Sequence, residues 1–205
     1  SRNILESYPN LNEHITIAHP GIKIQPTNDK STTELRQQFR RTYGVPASAF
    51  VLLFVAHGFK RKGLPTIIKA LEELNDKNIH IIVAGSGNPK DIKINSPTVQ
   101  NNTHFIGAIK NMHELYPVAD TLIHPTLGDT YGMVVLEAMS HKLPVIVSSA
   151  EYCGLSEHLN GDNALIISNP KDSNELAKYI KTLYSQVELR DKIAENGLQK
   201  SQTIS

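Results

Sequence analysis

The sequence predicts an α/β fold built on a doubly wound parallel sheet. Three observations carry that prediction. Short apolar runs recur along the 205 residues, and most are continuous rather than alternating, as in strands buried on both faces. Amphipathic stretches with helical spacing lie between them. Hydrophobic residues make up 40% of the chain and charged residues 20%, enough apolar surface for a core and too little charge for a disordered chain.

The elements follow in order. Ile15–Ala18 is the first candidate strand, after a first dozen residues that read as a linker or terminal helix. Residues 1–24 are taken as a hinge remnant of a preceding domain and residues 25–205 as the main domain. Asn28-Asp29-Lys30-Ser31 is turn-like, and Ser31-Thr32-Thr33-Glu34 has the chemistry of a helix cap. The helix from Glu34 to Tyr43 ends at Gly44. Val51–Ala56 is the strongest strand, followed by Ile79–Ala84, His104–Ile106, Thr121–His124, Pro144–Val147 and Ala164–Ile167. Between them, Thr66–Leu74 places Ile67, Ile68, Leu71 and Leu74 on one stripe, and Ser173–Tyr184 places Leu176, Ile180 and Leu183 on another.

Composition excludes several functions. Twenty-one Lys and Arg against twenty Asp and Glu give a formal charge of +1, so no general nucleic-acid or membrane-surface binder is expected. One cysteine, Cys153, makes no disulfide framework, and a reducing compartment is the default. No apolar run approaches the roughly 20 residues of a membrane span. The nine histidines show no HxxxH or HExxH spacing, and a zinc site is not expected. His104, His113, His141 and His158 read as surface or half-buried residues. His124, at the end of a strand lining the expected cleft, is the exception worth testing. Cys153 has no nearby base in sequence and no nucleophilic role is assigned to it.

Ligands of open α/β sheets bind at the carboxyl ends of the strands, so three post-strand loops matter most. The first reads His57-Gly58-Phe59-Lys60-Arg61-Lys62-Gly63. Its glycines let backbone approach a ligand, and its cations suit phosphate. A solvated basic turn would read the same way. The second, Gly85-Ser86-Gly87-Asn88-Pro89, lacks the third glycine and the acidic ribose partner of a dinucleotide fingerprint and reads as an ordinary turn. The third runs from His124 to Met139. It carries Asp129, and a helix begins near Gly132, whose N–H groups suit an anionic or hydroxyl-rich ligand. Glu137 sits in the early turns of that otherwise apolar helix, where a carboxylate needs partners such as a vicinal diol. Read alone, Asp129 could equally be a helix-entry residue and Glu137 a local salt-bridge partner.

Together these residues resemble the retaining GT-B glycosyltransferases of family 4, also called group 1. Asp129-x7-Glu137 with Ala138-Met139 and Leu143-Pro144-Val145 resembles the E-x7-E region. Phe59-Lys60-Arg61-Lys62-Gly63 resembles the basic donor-phosphate loop, and Ala18-His19-Pro20-Gly21-Ile22 the hinge. Phe105-Ile106-Gly107 and Tyr116-x-x-Ala119-Asp120 fit in order and spacing. The phrasing is nearest to the bacterial lipopolysaccharide-core α-glucosyltransferases.

The resemblance implies a Rossmann-like, carboxy-terminal half of a GT-B fold that binds a nucleotide-diphosphate sugar, such as a UDP-sugar. Arg61 and Lys62 would neutralise the diphosphate, Glu137 would hold the ribose, and Asp129 would face the transferred sugar. Gly58, Thr130, Tyr131, Gly132 and Met133 would complete the donor site. No D-x-D motif occurs, in line with a metal-independent site needing no cofactor. A glycan or lipid-linked acceptor would bind an amino-terminal domain that this chain lacks, so the chain alone would transfer little. The location implied is cytoplasmic, peripheral at the inner membrane in the full-length enzyme. Three departures stand out: Asp129 replaces the first glutamate, His57 stands where many members carry Arg, and Asn163-Ala164 replaces Asn-Gly, with Asn163 expected to take the left-handed conformation itself. A non-catalytic sugar-nucleotide-binding module and a sugar-nucleotide 2-epimerase-like enzyme are the alternative readings.

Overall fold

The fold was analysed in a computed structural model that describes residues 29–204. The candidate strand Ile15–Ala18, the hinge segment Ala18–Ile22 and the leading dozen residues lie outside the described residues.

Helix α1 (Asp29–Thr42) leads into β1 (Phe50–His57), α2 (Leu64–Leu74) and β2 (Ile79–Ser86). A short helix α3 (Pro97–Asn101) precedes β3 (Thr103–Gly107), and two 3₁₀ turns lead to β4 (Thr121–His124). Then come α4 (Met133–Ser140), β5 (Val145–Ser148), β6 (Leu165–Ile167), α5 (Ser173–Ser185) and α6 (Val187–Ile204). The six strands form one sheet in the order β3-β2-β1-β4-β5-β6, with every pairing parallel. The chain runs outward from β1 to β3, then crosses to β4 and runs the other way. The switch point therefore lies between β1 and β4, where open α/β sheets take their ligands.

The continuous apolar runs are explained by two cores, one on each face. Along β1, Phe50, Leu52 and Phe54 join the core closed by α2 and α5, through Ile67, Leu71, Leu176 and Ile180. Val51 and Leu53 point the other way, into the core that holds Leu136 and Met139 of α4 and Leu115 between the two 3₁₀ turns. Residues 51 to 54 are fully buried, so each face must be apolar and no alternation survives.

Two expectations need correction, and one helix goes beyond them. The α1 helix begins at Asp29, so Ser31 lies inside it rather than capping it. Helix α6 shows no sequence signal, because the face it buries is made of Ile193, Ala194, Gly197 and Ser201. Small residues leave no apolar stripe to recognise, yet they let α6 approach closely; a Cβ on Gly197 would sit 3.3 Å from the Asn163 carbonyl oxygen. Asn163 is not left-handed, since Asn75 and Lys142 are the non-glycine residues with positive φ among those described. Its side chain instead accepts a hydrogen bond from the Asn160 N–H at 3.0 Å, closing the turn without special backbone geometry.

Candidate functional site

The loop after β1 is anchored by its own aromatic residue. Phe59 is buried and packs its ring 6.1 Å from Phe54 and 6.0 Å from Phe105. With Phe59 turned inward, Arg61 and Lys62 face out over the strand ends. Gly63 then closes the turn at φ 89°, and a Cβ there would fall 2.0 Å from the Pro125 carbonyl oxygen. Only glycine lets this loop lie against the loop after β4. The Leu127 N–H donates to the Arg61 carbonyl at 3.0 Å, and the side chains of Arg61 (3.1 Å) and Lys62 (3.3 Å) donate to the Gly128 carbonyl. Sixty-six residues apart in sequence, the two loops form one wall.

The loop after β4 is fixed from its other side by the segment after β5. The Asp129 N–H donates to the Tyr152 carbonyl at 2.8 Å and the Leu155 N–H to Tyr131 at 2.7 Å. Gly132, at φ 95°, starts α4, and a Cβ there would lie 2.6 Å from Cys153 Sγ. No side chain caps this helix. Its first N–H groups precede the first intrahelical bond, donated by Val135 to Gly132, and they open toward the strand ends.

These elements enclose a cleft of about 640 Å³. Arg61, Lys62, Asp129, Thr130, Tyr131, Gly132, Met133 and Glu137 all line it, as do His57 and His124. Gly58 does not; it closes the turn by donating its N–H to the Ser86 carbonyl at 2.9 Å. His57 contacts Ser86 through Nδ1 and Oγ, linking the loops after β1 and β2.

Asp129 is neither free nor a simple helix-entry residue. Its Oδ2 accepts from Lys62 Nζ and, at 3.0 Å, from His124 Nε2, while Oδ1 accepts the Tyr131 N–H at 3.3 Å. Burial opposes its charge, but hydrogen bonds from His124 and Lys62 and the nearby Lys62 charge outweigh it, holding the carboxyl well below the usual range. His124 shifts downward because burial disfavours the imidazolium, so it is neutral at pH 7 with its proton on Nε2, facing the carboxylate. Its Nδ1 is buried with no hydrogen-bond partner among the described residues. Leaving a buried polar atom unpaired costs about 1–3 kcal/mol.

Glu137 forms no salt bridge among the described residues. Its Oε2 accepts a hydrogen bond from the buried Tyr116 hydroxyl, and among the described residues no hydrogen bond reaches Oε1. Burial first, and Glu137 second, push the Tyr116 phenol far above its usual range, so it remains a donor at any working pH. Tyr116 was visible in sequence as part of Tyr116-x-x-Ala119-Asp120, but nothing in its spacing revealed that it reaches Glu137. Ala108, Ile109 and Met112, which close the far end of the cleft, were not singled out; they carry no chemistry that sequence alone could flag.

A family model described as glycosyl transferases group 1 matches residues 36–200. The chain belongs to that family. It is 28% identical over 191 residues to the lipopolysaccharide glucosyltransferase WaaG of Escherichia coli, covering 90% of this chain and 50% of WaaG. It is 24% identical to the D-inositol 3-phosphate glycosyltransferase of Corynebacterium glutamicum, covering 100% of this chain and 51% of that protein. The chain thus spans about half the length of the curated relatives it matches. The crystal structure of WaaG superposes with a TM-score of 0.80 at 27% identity, covering 98% of this chain and 56% of WaaG. Anabaena HepE in complex with UDP-glucose shares the fold, with a TM-score of 0.82 at 22% identity over 99% of this chain and 57% of HepE. The expected Rossmann-like half of a GT-B fold is therefore what the chain forms. Among the described residues no helix is long and apolar enough to cross a membrane, and no group of three or more His, Cys, Asp or Glu is placed to hold a metal ion.

Proposed function

We propose that this chain is the donor-binding half of a retaining, metal-independent glycosyltransferase. In this reading the whole enzyme moves a hexose from a UDP-sugar to a glycan or lipopolysaccharide-core acceptor. The observation that carries the proposal is the convergence of Arg61, Lys62, Glu137 and the start of α4 on one cleft. These groups come from two stretches far apart in sequence and together match the needs of a nucleoside diphosphate sugar.

Glu137 Oε1, left open while Tyr116 holds Oε2, receives a ribose hydroxyl. Arg61 and Lys62 meet the diphosphate. The bond between the anomeric carbon and the phosphate oxygen breaks, an acceptor hydroxyl oxygen bonds to that carbon and its proton passes to the departing phosphate, and before that proton arrives negative charge grows on the leaving nucleoside diphosphate. Preorganised cations stabilise that charge more than the ground state, and they do so here in place of a metal. Thr130, Tyr131, Gly132 and Met133 offer backbone donors to the phosphate and sugar, and Asp129 borders the sugar. WaaG, named for lipopolysaccharide biosynthesis, and HepE, crystallised with UDP-glucose, support the donor and acceptor classes. An amino-terminal domain would supply the acceptor surface, with the enzyme cytoplasmic and peripheral at the inner membrane.

Calorimetric titration of the chain with UDP and UDP-glucose tests this reading. Saturable binding is expected, weakened at least tenfold in Arg61→Ala/Lys62→Ala. No saturable heat, or equal heats in both proteins, would exclude a donor site here.

A further inference from the structure

We propose that His124 is the positioning residue of the diphosphate site: its Nε2–H pins the Asp129 carboxylate, which holds the Lys62 ammonium where a phosphate oxygen meets it. This rests on the donor reading above, since it takes Lys62 as the phosphate contact.

The argument begins with where each group is rooted. His124 is the last residue of β4, paired with Val147 of β5, so its backbone belongs to the rigid sheet. Its side chain is only 2% exposed. Lys62 is rooted in a loop and ends in four rotatable bonds; left alone, its ammonium would spread over many positions. Asp129 bridges the two. A single oxygen, Oδ2, takes both the Lys62 ammonium and the His124 Nε2–H, while Oδ1 is tied to the Tyr131 N–H. The carboxylate is thereby fixed in orientation as well as place. It is also one methylene shorter than the glutamate of the family pattern, which suits it to this bridge.

The orphaned nitrogen points the same way. A leucine or isoleucine at position 124 would continue the apolar β4 strand, next to Leu122 and Ile123, with nothing unsatisfied. Packing alone does not call for an imidazole whose Nδ1 is buried and, among the described residues, unpaired. The Nε2–Asp129 bond is the feature that an apolar residue would lose.

Two amides separate reach from polarity. In His124→Gln the side-chain amide extends to the place of Nε2; in His124→Asn it stops near Nδ1. UDP affinity should stay within about threefold of wild type in His124→Gln and fall about tenfold in His124→Asn. The same His124→Asn change made in Lys62→Ala should have no further effect on UDP binding, because the residue acts through Lys62. Equal losses in the Gln and Asn variants, or an undiminished His124→Asn loss in the Lys62→Ala background, would assign His124 to packing and overturn the proposal. Unchanged affinity in both amide variants would overturn it too. If wild type binds UDP but these patterns fail, the positioning role alone falls; if wild type binds no UDP, the donor reading falls and takes this role with it.

Discussion

Strand β4 has an acid–cation cluster at each end, and the two are alike in composition but opposite in completion. Before the strand, Asp120 meets Arg36 and Arg40; after it, Asp129 meets Lys62 and His124. The carboxylates are almost equally exposed, 17% and 20%, so burial does not distinguish them. Their surroundings do. Asp120 also accepts the Val51 N–H at 2.7 Å. Arg40 spends its remaining donors on the carbonyls of Ala47, Ala49 and Val118, and Arg36 on those of Pro117 and Ala119. That cluster is closed by backbone and ties α1 to the start of β1 and β4. Both clusters border a cleft, Arg36 and Asp120 one of about 690 Å³ and Lys62 and Asp129 the one described above, but beside Asp129 a buried imidazole nitrogen has no partner among the described residues. A charge cluster satisfied by backbone on every side holds structure together; one with fewer backbone partners is available to a ligand.

The largest expected effect breaks the closed cluster. Asp120→Ala leaves the buried Arg40 guanidinium without its counter-charge and should cost about 3–5 kcal/mol in chemical denaturation. Asp129→Ala should cost less, about 1–3 kcal/mol in the same experiment, because the freed Lys62 ammonium can turn into the cleft while the His124 N–H loses its partner. Equal losses would mean that both clusters are structural and would remove the contrast.

A smaller effect appears with pH. His80, His104, His124 and His141 all shift downward, in each case first through burial; His141 falls to about 4, with the charge of His113 adding to it. The unfolded chain therefore binds more protons than the folded one between roughly pH 6.5 and 4, and stability falls as pH falls through that window. The melting temperature should drop by at least a few degrees from pH 7 to pH 4.5. His141→Phe should flatten part of the slope, and a flat profile in wild type would contradict these shifts. Asp129 acts in a lower window, since its depressed pKa gives stability that is lost only as pH falls below the unfolded carboxylate value.

The smallest effect concerns Cys153, which lies beside the open cluster yet is itself fully buried. Burial and then the Asp129 charge push its thiol up to about 11. At pH 7.5 iodoacetamide should leave it unlabelled in the folded chain and label it in denaturant, as mass spectrometry would show. Labelling of the native chain at the rate of the denatured one would mean that the segment after β5 opens readily, against the bonds drawn from it to Asp129 and Tyr131.

Much of the fold was legible because burial on both faces writes itself into composition. Strand β1 must be apolar wherever it is buried on both faces, from Val51 to Phe54, so Val51–Ala56 announced itself without any partner being known. Helix α6 did not, since Gly197 and Ser201 pack by being small, and smallness carries no periodic signal. The site divided in the same way. Arg61, Lys62, Asp129 and Glu137 were legible as charges in loops or helix starts where charge needs a reason. Local sequence determined the types of group present and the strand ends they follow. Only the tertiary structure decided their pairing: Lys62 with Asp129, His124 with the same carboxylate oxygen, Tyr116 with Glu137. Those pairings span 5 to 67 residues, and the longest follows from the adjacency of β1 and β4 in the sheet. The physical reason is that hydrogen bonds form over about 3 Å in space, while sequence records only distance along the chain.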